Sequence, residues 1–224
     1  AAGRDALVWA IAPEREGLLP FLEYARQVNP DVRFALGHSE ATPDAVRALG
    51  AYMPTILTHA MDATGRKPLY GGTRGVGPDE YCMTAPDMYA ELISDSCCIH
   101  VHADLQRLLL HAKGVGRMIL ISDSTNFPFA PPENLAHVTD LNFDHMGGIA
   151  GSKLTMDTAC RNVMAATACG IAEAFLMAST NPANAVGLGK ELGSIAVGKK
   201  AALVFTDDKF NVQSVMLDGE LCKF

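Results

Sequence analysis

The 224-residue sequence lacks the features that mark several classes of protein. It has no excess of positive charge, since 18 Lys and Arg stand against 25 Asp and Glu and the formal net charge is −7. That balance argues against a surface for nucleic acid or an anionic membrane. No apolar run approaches the roughly 20 residues that span a bilayer, and residues 1–5 show no signal-peptide pattern. We therefore expect a cytoplasmic protein that binds neither nucleic acid nor membranes.

The six cysteines also lack a pattern. Cys97 and Cys98 are adjacent, while the other four are scattered without the C-x-x-C spacing of a metal site. A disulfide framework is equally unsupported, and reduced, mostly buried thiols fit a cytoplasmic protein. We expect the adjacent pair to fill part of the core.

What is present is an apolar content of 49%, which is enough for one large domain with or without a small appendage. Short apolar runs alternate with helical patterns about four times, and this order predicts a parallel α/β architecture. Two stretches rich in glycine or proline, residues 61–87 and 126–148, are predicted to be long loops. The composition changes near residue 189. The prediction is therefore a main unit over residues 1–188 and a small antiparallel β element over residues 189–224.

The chain is organised around residues 34–59. Two short apolar runs there end in His38 and His59, which lie 21 positions apart, an interval that fits one strand–helix–strand unit. Both imidazoles would then lie at the carboxyl ends of parallel strands, where such folds carry their chemistry. A third apolar run, residues 118–122, ends in Asp123. A single histidine after a strand is ordinarily a loop residue, but the repeated pattern predicts a site with a metal and a base.

Nine short motifs stand in order along the chain, at residues 12–14, 37–42, 58–59, 65–66, 100–101, 122–123, 151–156, 161–162 and 181–183. Together they resemble the C-terminal part of the N-acetylglucosamine-6-phosphate deacetylase family, within the amidohydrolase superfamily. The tail over residues 192–199 is similar to the closing β element of that superfamily. The resemblance covers essentially the whole chain.

The resemblance implies a (β/α)8 barrel with a small β-sandwich. This chain matches from a middle barrel strand onward, so we expect a partial TIM-like barrel, about its C-terminal half, plus a small C-terminal antiparallel β element. The N-terminal part of the family pattern holds a metal-ligating glutamate in a His-Leu-Glu-Gly-Pro-like motif. Glu14 does not match that position, so the chain alone is expected to be an inactive fragment of an enzyme that is a homodimer when complete.

The resemblance implies metal-dependent hydrolysis of the acetamide of N-acetylglucosamine 6-phosphate, which gives glucosamine 6-phosphate and acetate in amino-sugar catabolism. His38 and His59 would bind a divalent ion, zinc or iron, that activates water. Asp123 would be the general base and then return the proton to the leaving amine. His100 would bind the carbonyl oxygen or the sugar.

The resemblance also implies a set of substrate-binding residues. They are Asp62, Ala63, Arg66, His100, Ile149, Ala150 and Gly151. Arg66 matches a residue that reaches the phosphate of the neighbouring subunit. Asp62 departs from the family, which has asparagine there, and an aspartate beside a phosphate is unfavourable unless the backbone makes the contact.

Two alternatives remain open at this point. Another amidohydrolase, such as a cyclic amidase or a deaminase, would show the same two histidines and aspartate. A truncated, non-catalytic relative that binds a sugar metabolite would explain the absence of the glutamate motif. Arg66 and the Gly-Ser-x-Leu-Thr-Met segment at residues 151–156 favour the sugar enzyme over the cyclic amidase.

Overall fold

The computed structural model describes residues 7–65, 68 and 70–222. Its centre is a five-stranded sheet in which every neighbouring pair is parallel and the spatial order follows the chain. The strands are β1 (Val8–Ile11), β2 (Arg33–Leu36), β3 (Ile56–Leu57), β4 (Tyr89–Ile93) and β5 (Met118–Ile121). The predicted parallel α/β architecture is confirmed. Among the described residues these strands form an open sheet, so the partial barrel stays a prediction.

Helices connect the strands and continue the chain after β5. They are α1 (Leu18–Val28), α2 (Pro43–Arg47), α3 (Pro78–Thr84), α4 (Ala103–Lys113), α5 (Met156–Thr167), α6 (Ile171–Phe175) and α7 (Asn181–Ala185), with a π-helical segment, Leu176–Thr180, before α7. The start of α2 shows how local sequence sets a boundary. Thr42 precedes it and its hydroxyl accepts the Ala45 N–H, while Pro43 occupies the first helical position, where no N–H is needed.

Two expected loops contain regular structure, so those predictions are wrong in part. Residues 61–87 include α3, whose first turn is set by Pro78 and by Glu80, which accepts the Gly77 N–H. Residues 126–148 include a short 3₁₀ helix and strand β6 (Leu141–Phe143), which pairs antiparallel with β7 (Ile149–Ser152). The glycine and proline content correctly predicted that both segments are mostly irregular. It did not predict the short helices and the strand within them.

The two faces of the sheet have different partners. Alternate residues of β4 and β5, such as Leu92 and Leu120, pack with the helices in the largest apolar cluster. The residues between them, such as Ile119, lie on the opposite face. Because side chains alternate along a strand, Glu91, which pairs in register with Ile119, also belongs to that opposite face.

The chain ends in a separate antiparallel sheet, in the order β10-β9-β8. Its strands are β8 (Leu203–Thr206), β9 (Val212–Leu217) and β10 (Glu220–Cys222), so the predicted C-terminal β element is present with one strand more than expected. The boundary between residues 188 and 189 stays a prediction. Within the described part of the chain, no helix has the length and apolarity required to cross a membrane.

The cysteines follow the prediction only in part. Cys82, Cys160 and Cys169 are buried, but Cys97 is exposed and Cys98 is half-buried. The expectation that the adjacent pair fills the core is therefore wrong. The pair lies in the turn that follows β4, so these side chains do not share the sheet's packed interior.

Candidate active site

Three of the predicted site residues occupy equivalent places in the sheet. His38 lies two positions after the end of β2, His59 two after β3 and Asp123 two after β5. All three have a left-handed backbone, with φ of 48°, 35° and 48°. Such a backbone costs a residue other than glycine on the order of 1–3 kcal/mol, and residues of this kind cluster at active sites. The repeated strain at one edge of the sheet therefore supports a functional role for these three residues.

The two histidines face each other. Their Nε2 atoms are 2.9 Å apart, and the rings are nearly perpendicular at 83°. His59 is buried, and its Nδ1 lies 3.1 Å from the carbonyl oxygen of Asp62. A carbonyl oxygen can only accept, so Nδ1 of His59 carries the proton and its Nε2 lone pair points toward His38.

This arrangement fits two ligands of a divalent metal ion. Nitrogens bound to one tetrahedral zinc at about 2.0–2.1 Å would lie about 3.4 Å apart, so the rings need to separate by only about half an ångström. The carbonyl partner of His59 fixes the tautomer, as partners of metal-binding histidines do. Over residues 7–65, 68 and 70–222, however, no group of three or more His, Cys, Asp or Glu side chains is placed to hold an ion.

His100 lies in the loop after β4 and is buried. Its Nδ1 is 3.3 Å from Oδ2 of Asp95, whose side chain is fully buried. Burial lowers the pKa of His100, but the Asp95 bond and the negative charges of Asp62, Asp95 and Asp123 outweigh this and raise it above the ordinary value. Asp62 and Asp123 are therefore close enough to His100 for their charges to act on its ring.

The segment with Asp62 and Ala63 follows β3 and is held by Asp79 of α3. The Asp79 carboxylate accepts the Met61 N–H at 2.7 Å and the Thr64 hydroxyl, and it is almost fully buried. The left-handed backbone of Met61 and Ala63 is thereby fixed beside the histidines. Arg66 lies outside the described residues, so its predicted contact with phosphate stays a prediction.

The residues predicted to contact the sugar form β7, whose end lies against the strand-end edge. Ser152 donates its N–H to the carbonyl oxygen of Asp123 at 2.8 Å. Gly151 has φ of 71°, and a Cβ there would lie 2.5 Å from the same carbonyl oxygen. Ala150 accepts the Thr125 hydroxyl at 2.6 Å, while Ile149 is exposed. The structure therefore places Ala150 and Gly151 next to Asp123, with Ile149 at the outer end of β7.

Sequence reasoning missed two carboxylates of this region, the half-buried Glu91 within β4 and the buried Asp95 just after it. Asp95 had a readable signal, because Ser94-Asp95 follows β4 as Ser122-Asp123 follows β5. Glu91 had a weaker one, as a charged residue inside an apolar strand. Burial and the nearby charge of Asp123 raise the pKa of Glu91 to about 7, while a hydrogen bond from the His59 backbone opposes that rise.

Known proteins resemble this chain over most of its length. The sequence profile of the amidohydrolase family matches residues 9–222. The chain is 34% identical to the N-acetylgalactosamine-6-phosphate deacetylase of Escherichia coli O157:H7, over 97% of this chain and 57% of that relative. It is 30% identical to the N-acetylglucosamine-6-phosphate deacetylase of Vibrio furnissii, over 95% of this chain and 53% of that relative.

A solved structure shows the same likeness in three dimensions. The crystal structure of N-acetylglucosamine-6-phosphate deacetylase from Thermotoga maritima superposes with a TM-score of 0.80 at 25% identity, over 96% of this chain and 59% of that one. The chain thus spans a little more than half the length of the relatives it matches.

Glu91 provides a test of the site's electrostatics in the metal-free protein. A raised pKa means that the folded state keeps the proton that the unfolded state loses above about pH 4.5. Its contribution to stability is therefore present below that pH and is lost as pH rises through about 7. Between pH 5 and pH 8, Glu91→Gln should gain up to about 3 kcal/mol in unfolding free energy relative to the wild type.

Urea unfolding in the presence of a chelator, at both pH values, measures this difference. Glu23→Gln, on the exposed side of α1, is the matched control and should follow the wild type. If Glu91→Gln also follows the wild type at both pH values, the pKa of Glu91 is not raised in the folded protein.

Proposed function

The chain belongs to the amidohydrolase family. From that premise we propose that the residues at the carboxyl ends of its parallel strands form part of the active site of a metal-dependent deacetylase. The substrate is an N-acetylated amino-sugar 6-phosphate: N-acetylglucosamine 6-phosphate or its galactosamine counterpart, the sugars in the names of the relatives. The products are the amino-sugar 6-phosphate and acetate, in cytoplasmic amino-sugar catabolism. The observation that carries the proposal is the equivalent, strained placement of His38, His59 and Asp123 at three strand ends.

His38 and His59 would hold the divalent ion, zinc or iron, through their facing Nε2 atoms. When bound, such an ion supplies Lewis-acid activation of water and of the amide carbonyl. The buried Nδ1–H of His59 keeps its ring in the tautomer that can bind. A third protein ligand would come from outside the described residues, as the family resemblance implies.

Asp123 acts as the general base. Its backbone carbonyl is fixed by the Ser152 N–H, so the residue is held in place from β7. The carboxylate takes a proton from the attacking water while the new C–O bond forms at the acetamide carbon. The C–N bond then breaks, and the same proton passes to the leaving nitrogen, which departs as the amine.

His100 donates a hydrogen bond to the carbonyl oxygen of the acetamide and stabilises the negative charge that develops on it. Its burial, and the negative charges of Asp62 and Asp123 that help to raise its pKa, support this role. Ala150 and Gly151 would contact the sugar ring beside Asp123, and Arg66 would reach the phosphate of a neighbouring subunit in the homodimer. A comparison of phosphorylated and unphosphorylated substrate tests whether Asp62 permits phosphate recognition.

We expect this chain alone, supplied with zinc, to have no deacetylase activity. Its described strands form an open sheet with two unpaired edges, and they provide only two facing histidine ligands. Release of acetate is measured for the chain alone and after mixing with the N-terminal half of a matched deacetylase. Activity should require mixing, and robust turnover by the isolated chain would contradict the need for further strands.

His38→Ala and His59→Ala should each abolish tight metal binding by the complete protein. A catalytic metal with about three protein ligands does not tolerate the loss of one. Metal content is measured after dialysis, with His111→Ala, an exposed histidine of α4, as the control that should retain the metal. Full occupancy in both site variants would reject these ligands.

Asp123→Asn should lower kcat about a hundredfold or more, with metal and substrate still bound. The amide keeps the shape of the carboxylate but cannot accept the proton of the attacking water. Steady-state kinetics on the active, reconstituted form measures the change, and Asp208→Asn in an exposed turn is the control. Near-normal turnover in Asp123→Asn would place the base elsewhere.

A further inference from the structure

Asp95 occupies the same place on β4 that three predicted site residues occupy on neighbouring strands. It lies two positions after the end of β4, as His59 does after β3 and Asp123 after β5. Its side chain is fully buried. A buried carboxylate at the carboxyl end of a parallel sheet, beside the candidate active site, requires an explanation, because an unpaired buried charge is unfavourable.

The turn over residues 95–100 wraps around this carboxylate. Oδ1 accepts the Cys97 and Ile99 N–H groups at 3.1 and 2.9 Å, and Oδ2 accepts the Ile99 and His100 N–H groups at 3.0 and 2.9 Å. Burial raises the pKa of Asp95, but the hydrogen bonds from the His100 ring and the backbone outweigh this and lower it. Asp95 is therefore charged and fixed in direction before any ligand arrives.

The remaining partner of Asp95 is the ring of His100. The carboxylate lies 3.3 Å from Nδ1, while Nε2 is buried and has no hydrogen-bond partner among the described residues. The His100 side chain is only 3% exposed. Buried polar atoms are nearly always paired in folded proteins, so an orphaned ring nitrogen at the active edge points to a ligand that completes it.

The charge of the ring decides what that ligand can be. A neutral ring with its proton on Nδ1 would present a lone pair at Nε2, which repels a carbonyl oxygen. A doubly protonated ring presents an N–H instead. The acidic groups whose charges act on the ring are Asp95 in its own loop, Asp62 after β3 and Asp123 after β5, and all three favour the second proton.

We propose that Asp95 is a positioning residue, which holds the Nδ1–H of a doubly protonated His100 so that Nε2–H donates to the carbonyl oxygen of the scissile acetamide. The identity of that acceptor rests on the proposed function. The pairing of His100 with Asp95 and the raised pKa of its ring do not, because they follow from contacts and charges within this chain. Asp95 therefore acts only through His100.

The first experiment is nitrogen-15 NMR of the His100 side chain in the wild-type, metal-free chain at pH 7. Both ring nitrogens should be protonated, and the ring should titrate above the ordinary pKa of 6.5. A neutral ring at pH 7, or a proton on Nε2 alone, would overturn the proposal. This measurement needs no variant and no activity.

Asp95→Asn then tests the cause. The amide carries no charge, so the His100 pKa should fall and the ring should be neutral at pH 7. Asp104→Asn is the matched control, since Asp104 lies 3.6 Å from Nδ1 of the exposed His102 and should leave His100 unchanged. An unaltered His100 titration in folded Asp95→Asn would overturn the proposal, and if that variant does not fold, the wild-type measurement still decides.

Kinetics on the reconstituted enzyme give the second readout. Asp95→Asn should lower kcat about a hundredfold, in line with the loss of one oxyanion donor, with little change in KM. Its rate relative to the wild type should recover at acidic pH, where His100 gains its proton without Asp95. An unchanged kcat would overturn the proposal.

The two experiments separate the two ideas. If no form of the protein releases acetate while His100 behaves as described, the proposed function fails and the pairing of Asp95 with His100 stands. If acetate is released normally by Asp95→Asn, the proposed function stands and the role of Asp95 fails.

Discussion

The parallel pairing of β2, β3, β4 and β5 is the constraint on which the rest of the site depends. The carboxyl ends of neighbouring parallel strands lie at the same end of the sheet. Residues far apart in sequence are therefore brought close together there by strand pairing alone. The residue two positions past each strand then turns into the left-handed region at His38, His59 and Asp123. The free energy lost in those three backbones is offset by the packed sheet beneath them, and the result is a rigid frame for polar side chains.

This constraint explains which parts of the site could be predicted from sequence. Apolar runs that end in a histidine or an aspartate are local signals, and the edge they share follows from parallel pairing alone. Helix α1 carries a local signal of the same kind, because its buried residues Leu22 and Ala25 recur at helical spacing. The family resemblance then added roles for His100 and for β7, which no spacing rule would have assigned.

The parts that sequence reasoning missed depend on distant partners. Asp79 looks like an ordinary acidic residue of a short helix until the fold brings Met61 and Thr64 to it. β6 is three residues long and is defined by its pairing with β7 across a turn. Glu91 is placed by strand alternation and register, and its pKa reflects the neighbouring Asp123 and the burial of its strand. None of these relations is encoded within a window of a few residues.

The contact between Gly151 and the carbonyl oxygen of Asp123 has a consequence for how this protein could diversify. No larger side chain fits at Gly151, and the Ser152 N–H is already committed to the same oxygen. The hairpin of β6 and β7 is therefore mechanically coupled to Asp123, the proposed general base. A change in the hairpin that adapted it to a different sugar would also displace Asp123, so selectivity and turnover could not drift independently in the course of evolution.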